Sequence, residues 1–189
     1  VQIHERFERL PRLEESLATK VDPINPSEKA LFDLAEFHRL TANPEEEEEV
    51  MTKMVTLLPS ELAYRLRLTR IQMRNDRYGA AAETLEEALE NQANVPLHLI
   101  LLRAQIALND EDRVLARETV ETYLRNAKPG TDEMGEIVAF ARVNYLAELV
   151  EKLLRDSFDE AVASSKGAAA PVELARFLTE RGRTRQALE

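Results

Sequence analysis

Apolar residues along this chain return at helical spacing, in short stretches separated by turn residues. Leu31, Leu34, Ala35 and His38 stand at i, i+3, i+4 and i+7, the stripe that one face of an α-helix presents. Val50, Met51, Met54, Val55 and Leu58 form a second stripe, and Asn43-Pro44 before it predicts an N-cap followed by proline at the first helical position. Ser27 is the expected cap of the first helix, without the acid three residues on that would complete a capping box. Pro59 ends this pair, and Ser60 with Glu61 opens the next. Leu62, Leu66, Leu68 and Ile71 then lead to a turn at Asn75-Asp76, and Tyr78 opens a return helix carrying Ala81, Ala82, Leu85, Ala88 and Leu89. From Leu97 to Leu108 the pattern is apolar all round, which predicts a helix buried from several directions. Val114, Ala116, Val120, Tyr123 and Leu124 follow the turn at Asn109-Asp110.

These stripes are copies of one another. Leu34 and Leu68, Met51 and Leu85, and Met54 and Ala88 lie 34 residues apart; Ala81 and Ala116, Leu85 and Val120, and Leu89 and Leu124 lie 35 apart. A fixed period of this length marks stacked two-helix units, each too small to bury its apolar face alone. The expected division is an N-terminal helix and linker, or the remnant of an earlier repeat, at 1–26, then hairpins at 27–59, 60–95, 96–130 and 131–169 and a partial unit at 170–189. Pro11 predicts a kink or a new helix after Ile3, Phe7 and Leu10. Lys128-Pro-Gly-Thr-Asp132 reads as a break with Thr131 or Asp132 as N-cap, and the pattern does not place the turn within 133–164. Gly167 and Pro171 mark the next break, Gly182 is the expected C-cap after Val172–Arg181, and Thr184–Glu189 reads as the opening of a further helix. The expectation is a fragment of a longer repeat protein.

Composition narrows the function classes. Only 5 of 189 residues are glycine, and 44% are hydrophobic. The net charge of -10 argues against general binding to nucleic acid or anionic lipid, which needs clustered Lys and Arg. No apolar run approaches the roughly 18 residues of a membrane span. The absence of cysteine excludes disulfides and thiolate metal sites and fits either redox environment, so the compartment stays open, with the cytoplasm as the default. His4, His38 and His98 have no ligand-like spacing, and His38 belongs to a core stripe. No Gly-rich phosphate loop or nucleophile elbow occurs, and no pair of carboxylates stands apart from the rest. No catalytic, metal or cofactor site is expected.

The residues resemble the tetratricopeptide repeat family. Leu68 and Thr69 stand at its Leu-Gly pair, Tyr78 at its turn aromatic, and Ala81, Leu85 and Ala88 match its second-helix signature. Leu34, Ala35, Met51, Met54 and Pro59 match one repeat earlier, and Leu174, Ala175, Leu178, Gly182 and Ala187 match in the last unit. Leu31 and Arg65 stand where the family has its first-helix Trp, and Met54 and Tyr123 are large where it has Ala. The 35-residue pentatricopeptide repeats are a related RNA-binding alternative, at odds with the acidic net charge. The resemblance implies an all-α, right-handed α-solenoid of antiparallel hairpins that binds a protein or peptide, with the first helix of each pair lining a concave groove.

In that register Ala63, Leu66, Arg67, Arg70, Met73 and Arg74 face the groove, and the three arginines share one helix face. The segment Glu61–Tyr78 carries five Arg against two acids, whereas Gly79–Glu90 carries four Glu and no base. Gln105, Arg142 and Arg176 are the expected counterparts of Arg70 in later units. Such a ladder suits carboxylates, because guanidinium offers paired donors, so an acidic peptide is the expected ligand. Against this, Arg67 and Arg74 could pair with Asp33, Glu36 or Asp76. The family's carboxylate clamp, which needs Lys and Asn, is unmatched at Phe32, Glu36 and Arg67. Glu45–Glu49 is explained by the positive end of the helix macrodipole. A regulatory or targeting domain of a larger enzyme, or a homo-oligomerising scaffold, are the alternative readings, and Leu97–Leu102 is the segment for self-association if exposed.

Overall fold

The computed structural model describes residues 2–90, 92, 94–127, 131–164, 169–180 and 182. All described regular structure is helical. Two compact units divide the chain, residues 1–95 and 96–189. The expected turn at Lys128-Pro-Gly130, the expected break at Gly167 and the further helix from Thr184 lie outside the described residues, as do the side chains of His4, Ile3 and Phe7.

The first unit holds α1 (Gln2–Ala18), α2 (Glu28–Leu40), α3 (Pro44–Leu57), α4 (Leu62–Arg74) and α5 (Tyr78–Leu89). Pro11 lies inside α1 rather than between two helices. It sits on an exposed side, where the carbonyl left without an N–H partner can be hydrated. Ser27 caps α2 as expected, its hydroxyl accepting from the Ala30 N–H at 3.2 Å. Asn43 precedes the proline that opens α3, but its side chain makes no capping bond. The cap position of α4 is Glu61, one residue after Ser60, again without a side-chain bond. Leu31, Leu34, Ala35, Val50, Met51, Met54, Leu68 and Ile71 form the core, with Leu17 of α1 and Val21 packed against it.

The second unit holds α6 (Leu97–Asn109), α7 (Arg113–Ala127), α8 (Thr131–Val143), α9 (Ala147–Ser164) and α10 (Ala169–Glu180). Thr131 and Asp132 both lie within α8, so neither is its cap, and the turn unplaced by sequence falls at Asn144–Leu146. Its core joins Leu97, Ala104, Ala107, Ala116, Val120, Ile137, Ala141, Leu149, Val150 and Leu178, among others. Leu97, Leu99 and Ile100 are buried and Leu101 and Leu102 half-buried, so this segment is core rather than an exposed patch.

The repeat is written into the backbone. Ala42, Asp76, Glu111 and Tyr145 all have φ between 56° and 63°, and each follows the first helix of a hairpin by the same step. After each, the next N–H bonds back five residues: Asn43 to His38, Arg77 to Gln72, Asp112 to Ala107 and Leu146 to Ala141, at 2.8–2.9 Å. This is the Schellman closure, which satisfies otherwise orphaned carbonyls and reverses the chain. Gly182 (φ 73°) follows α10 with the related bond to Thr179, as a glycine C-cap should. Seven residues before the left-handed position stand Ala35, Thr69 and Ala104, all with no exposed surface. Small side chains there permit close helix crossing.

Candidate functional site

The first unit carries a cluster of arginines on α2 and α4, and one buried carboxylate organises it. Glu47 is only 2% exposed. Its position in α3 corresponds, counting from the left-handed turn residues, to Ala81, Ala116 and Val150, all core residues. An isolated carboxylate there would be strongly destabilised, so it persists only with charged donors. Arg67 supplies one at 3.0 Å and Arg74 another at 2.5 Å. Arg67 also reaches Glu36 of α2 at 2.7 Å and lies over the Phe32 ring at 5.5 Å. Phe32, Glu36 and Arg67, the three sites at which the carboxylate clamp is unmatched, are thus one contact, and the expected pairing of Arg67 with Glu36 is present. Arg39 pairs with Glu36 at 2.9 Å. The Arg39 hydrogen bond, against some desolvation and with the charges of Arg67 and Arg39 added, holds the Glu36 carboxyl below its usual value.

The neighbouring acid, Glu48, is 6% exposed and bonds Asn75 at 2.7 Å and Arg77 at 2.6 Å. Two of the five acids in Glu45–Glu49 are therefore anchors between α3 and the end of α4. The macrodipole explanation covers Glu45 and Glu46, which are exposed. The repeat register was the signal for Glu47, since it places that residue in line with Ala81 and Ala116. Of the other expected partners, Asp33 pairs with Lys29 and Asp76 accepts from the Tyr78 hydroxyl.

The six residues of the expected ladder divide between the units. In the first, Arg67 is largely enclosed by Glu36, Glu47 and Phe32, Arg74 is 52% exposed beyond its bond to Glu47, and Arg70 is exposed and makes no ion pair among the described residues. In the second, the Gln105 amide donates to Asn109 at 2.9 Å, Arg142 is half-buried, and Arg176 lies 3.7 Å from Glu180. Arg70, Gln105 and Arg176 each stand six residues before their left-handed turn residue. Arg142 stands three before Tyr145, in line with Met73, and Ala139 holds the position equivalent to Arg70. His38 is buried with its ring edge on Phe37, and His98 is exposed. Among the described residues no group of three or more His, Asp or Glu is placed to hold a metal ion, and no helix is long and apolar enough to cross a membrane.

No family model matches the sequence, and no curated relative matches it. The fold does match solved structures. A tetratricopeptide repeat protein from Parabacteroides merdae is 13% identical with a TM-score of 0.56, over 98% of this chain and 74% of that one. PilW, a widely conserved type IV pilus biogenesis factor, is 14% identical with a TM-score of 0.52, over 99% and 85%. MamA is 9% identical with a TM-score of 0.54, over 85% of each chain. At such identities the likeness is one of architecture: the chain has a TPR-like fold, an all-α solenoid of antiparallel helical hairpins.

Proposed function

We propose that the chain is a non-catalytic protein-interaction module, and that the α2–α4 face of its first unit receives an acidic peptide segment. The observation that carries this reading is the surplus of guanidinium on that face. Arg39, Arg67, Arg70 and Arg74 stand against Glu36 and Glu47, and Arg70 and Arg74, one helical turn apart on α4, keep donors toward solvent. Glu47 holds Arg74 from below, which reduces the side-chain entropy lost when a carboxylate is gripped. Gln105, Arg142 and Arg176 offer polar donors on first helices of the second unit, with Arg142 out of register. The hairpin fold supports the reading in general terms, since stacked hairpins present extended surfaces rather than a catalytic cavity.

The test is fluorescence anisotropy with acidic, basic and neutral peptides, on the parent chain and on separate Arg70→Glu and Arg142→Glu variants. Acidic peptides are expected to bind, and Arg70→Glu to weaken them by about tenfold or more, the weight of one charge-assisted contact turned repulsive. Equal binding by parent and Arg70→Glu, with helicity unchanged, would sink the proposal. A self-associating scaffold is the second reading, favoured by Val114, Leu115, Val143 and Tyr145, which are all exposed in the second unit. A mass that grows with concentration in sedimentation equilibrium, and falls back in Tyr145→Ser, would support it.

A further inference from the structure

The turn between α8 and α9 carries a bulky residue that its geometry does not call for. Tyr145 has a φ of 57°, a conformation in which large side chains are rare, whereas the matching turns use Ala42, Asp76 and Glu111. Its side chain is 83% exposed, and Val143 just before it is 75% exposed. The ring therefore adds little to the core of its own unit, and packing within the chain does not account for a strained aromatic there.

Tyr145 stands on the rim of an open crevice of about 520 Å³ within the second unit. Half-buried Ala147 and the buried Ala141, Val150 and Phe177 line it with apolar surface, and Arg142 of α8 and Glu180 of α10 are its charged members. In register, Val150, Arg142 and Glu180 correspond to Glu47, Arg39 and Arg74 of the first unit, where Glu47 holds Arg74 in an ion pair. Val150 has no charge to hold a long side chain over it, and Glu180 lies instead 3.7 Å from Arg176 in an exposed pair. The place that the ionic network occupies in the first unit is thus open in the second.

Charge indicates what covers this crevice. Arg142 already has interactions within its own chain, and its five N–H donors leave capacity for a further carboxylate. Glu180 is exposed, and its pair with Arg176 is of the weak, solvated kind. The crevice thus carries one donor and one acceptor, which makes it complementary to itself across a two-fold axis. Tyr145 also borders a smaller cleft lined by Arg113, Arg117 and Glu148. Around this one residue stand three arginines and two glutamates, in a chain of net charge -10. The repulsion that keeps acidic copies apart is relieved at this spot. We infer that the crevice receives Tyr145 of a second copy of this chain, in a closed two-fold pair where each Arg142 faces the partner's Glu180. An aromatic ring in an apolar crevice, with polar groups beside its hydroxyl, is the usual energetic centre of such a contact. The inference rests on the self-association reading and names its contact; it is independent of the arginine face of the first unit.

The experiment is sedimentation equilibrium over a concentration series, on the parent chain, on Tyr145→Ser, on Arg142→Glu, on Glu180→Arg, and on an equal mixture of the last two. The parent is expected to approach the mass of two copies and no more. Tyr145→Ser should weaken the pair about a hundredfold, because two-fold symmetry removes the anchor twice. Arg142→Glu and Glu180→Arg should each weaken it about tenfold or more, since each sets like charges opposite one another. Their mixture should recover pairing to within about threefold of the parent, because every contact between the two variants again joins opposite charges. Misfolding of either variant does not produce that recovery. A parent that stays monomeric removes the self-association reading and the inference with it. Association that Tyr145→Ser abolishes, but that the charge variants leave unaltered or their mixture does not restore, overturns the inference alone. So does a mass that rises past two copies, since a closed two-fold contact stops there.

Discussion

The two units use one hairpin geometry and fill it with opposite chemistry. At the position where α3 carries Glu47, α7 carries Ala116 and α9 carries Val150, all buried. Where α4 carries Arg67, α6 carries Leu102, and where α4 carries Gln72, α6 and α8 carry Ala107 and Ala141. The turns that set this register are alike, with the same left-handed residue and the same five-residue bond. Hairpin geometry therefore does not require the ionic network of the first unit. Buried ion pairs are weak stabilisers relative to apolar packing of the same volume, because desolvation offsets much of the Coulomb gain. What the first unit gains instead is a set of oriented, charged side chains at its surface, which is where a functional reading belongs.

The sharpest way to break this contrast is to remove one partner of the buried pair. Arg67→Met leaves Glu47 enclosed with only the half-exposed Arg74, and is expected to lower unfolding free energy by about 3 kcal/mol in urea denaturation. Converting the site to the second unit's solution, Glu47→Ala with Arg67→Leu, should restore most of that, to within about 1 kcal/mol of the parent. A double variant as unstable as Arg67→Met would mean that the network, and not the fold, holds this unit together.

A smaller effect concerns the turns. Ala42, Glu111 and Tyr145 adopt a backbone conformation that costs a residue with a Cβ about 1 kcal/mol relative to glycine, the residue used at 182. Ala42→Gly in the first unit and Glu111→Gly in the second should each raise the unfolding free energy by up to about 1 kcal/mol. A gain in one unit alone, seen by thermal melting, would show that the turns are not equivalent.

Acid titrates the first unit more selectively. The Glu36 carboxyl sits below the usual value of 4.5 when folded, chiefly through the Arg39 hydrogen bond. Its contribution is present above that value and is lost as pH falls through the lowered folded one. The difference in urea midpoint between the parent and Glu36→Gln should therefore be clear at neutral pH and shrink toward zero below the folded value. The smallest effect belongs to the solvated pairs. Lys29→Met breaks the exposed bond to Asp33 and should change stability by no more than about 0.5 kcal/mol.

Much of the fold was legible along the chain, and the reasons are local. Leu34 with Leu68, Met51 with Leu85 and Ala81 with Ala116 announce the period, because each hairpin must bury the same stripe. Ser27 and Gly182 announce helix ends, because their capping chemistry is carried by single residues. The turn at Asn144–Leu146 was not legible, because Tyr145 is an improbable left-handed residue and gives no sign of its φ of 57°. Arg142 looked like the next rung after Gln105 until that turn set the count and put Ala139 in its place.

The site was less legible than the fold. The arginines of α4 and their shared face follow from spacing alone, as does their suitability for carboxylates. Which of them stay available was decided by residues far along the chain: Glu47, 20 positions before Arg67 and 27 before Arg74, turns one inward and props the other. The acids at 45–49 read alike in sequence, yet two are enclosed and three face water. Helical period and end chemistry are properties of neighbours in the chain, so the sequence determines them by itself. The state of a charge depends on how much water it keeps and which opposite charge packs against it, and only the stacking of α3 on α4 decides that.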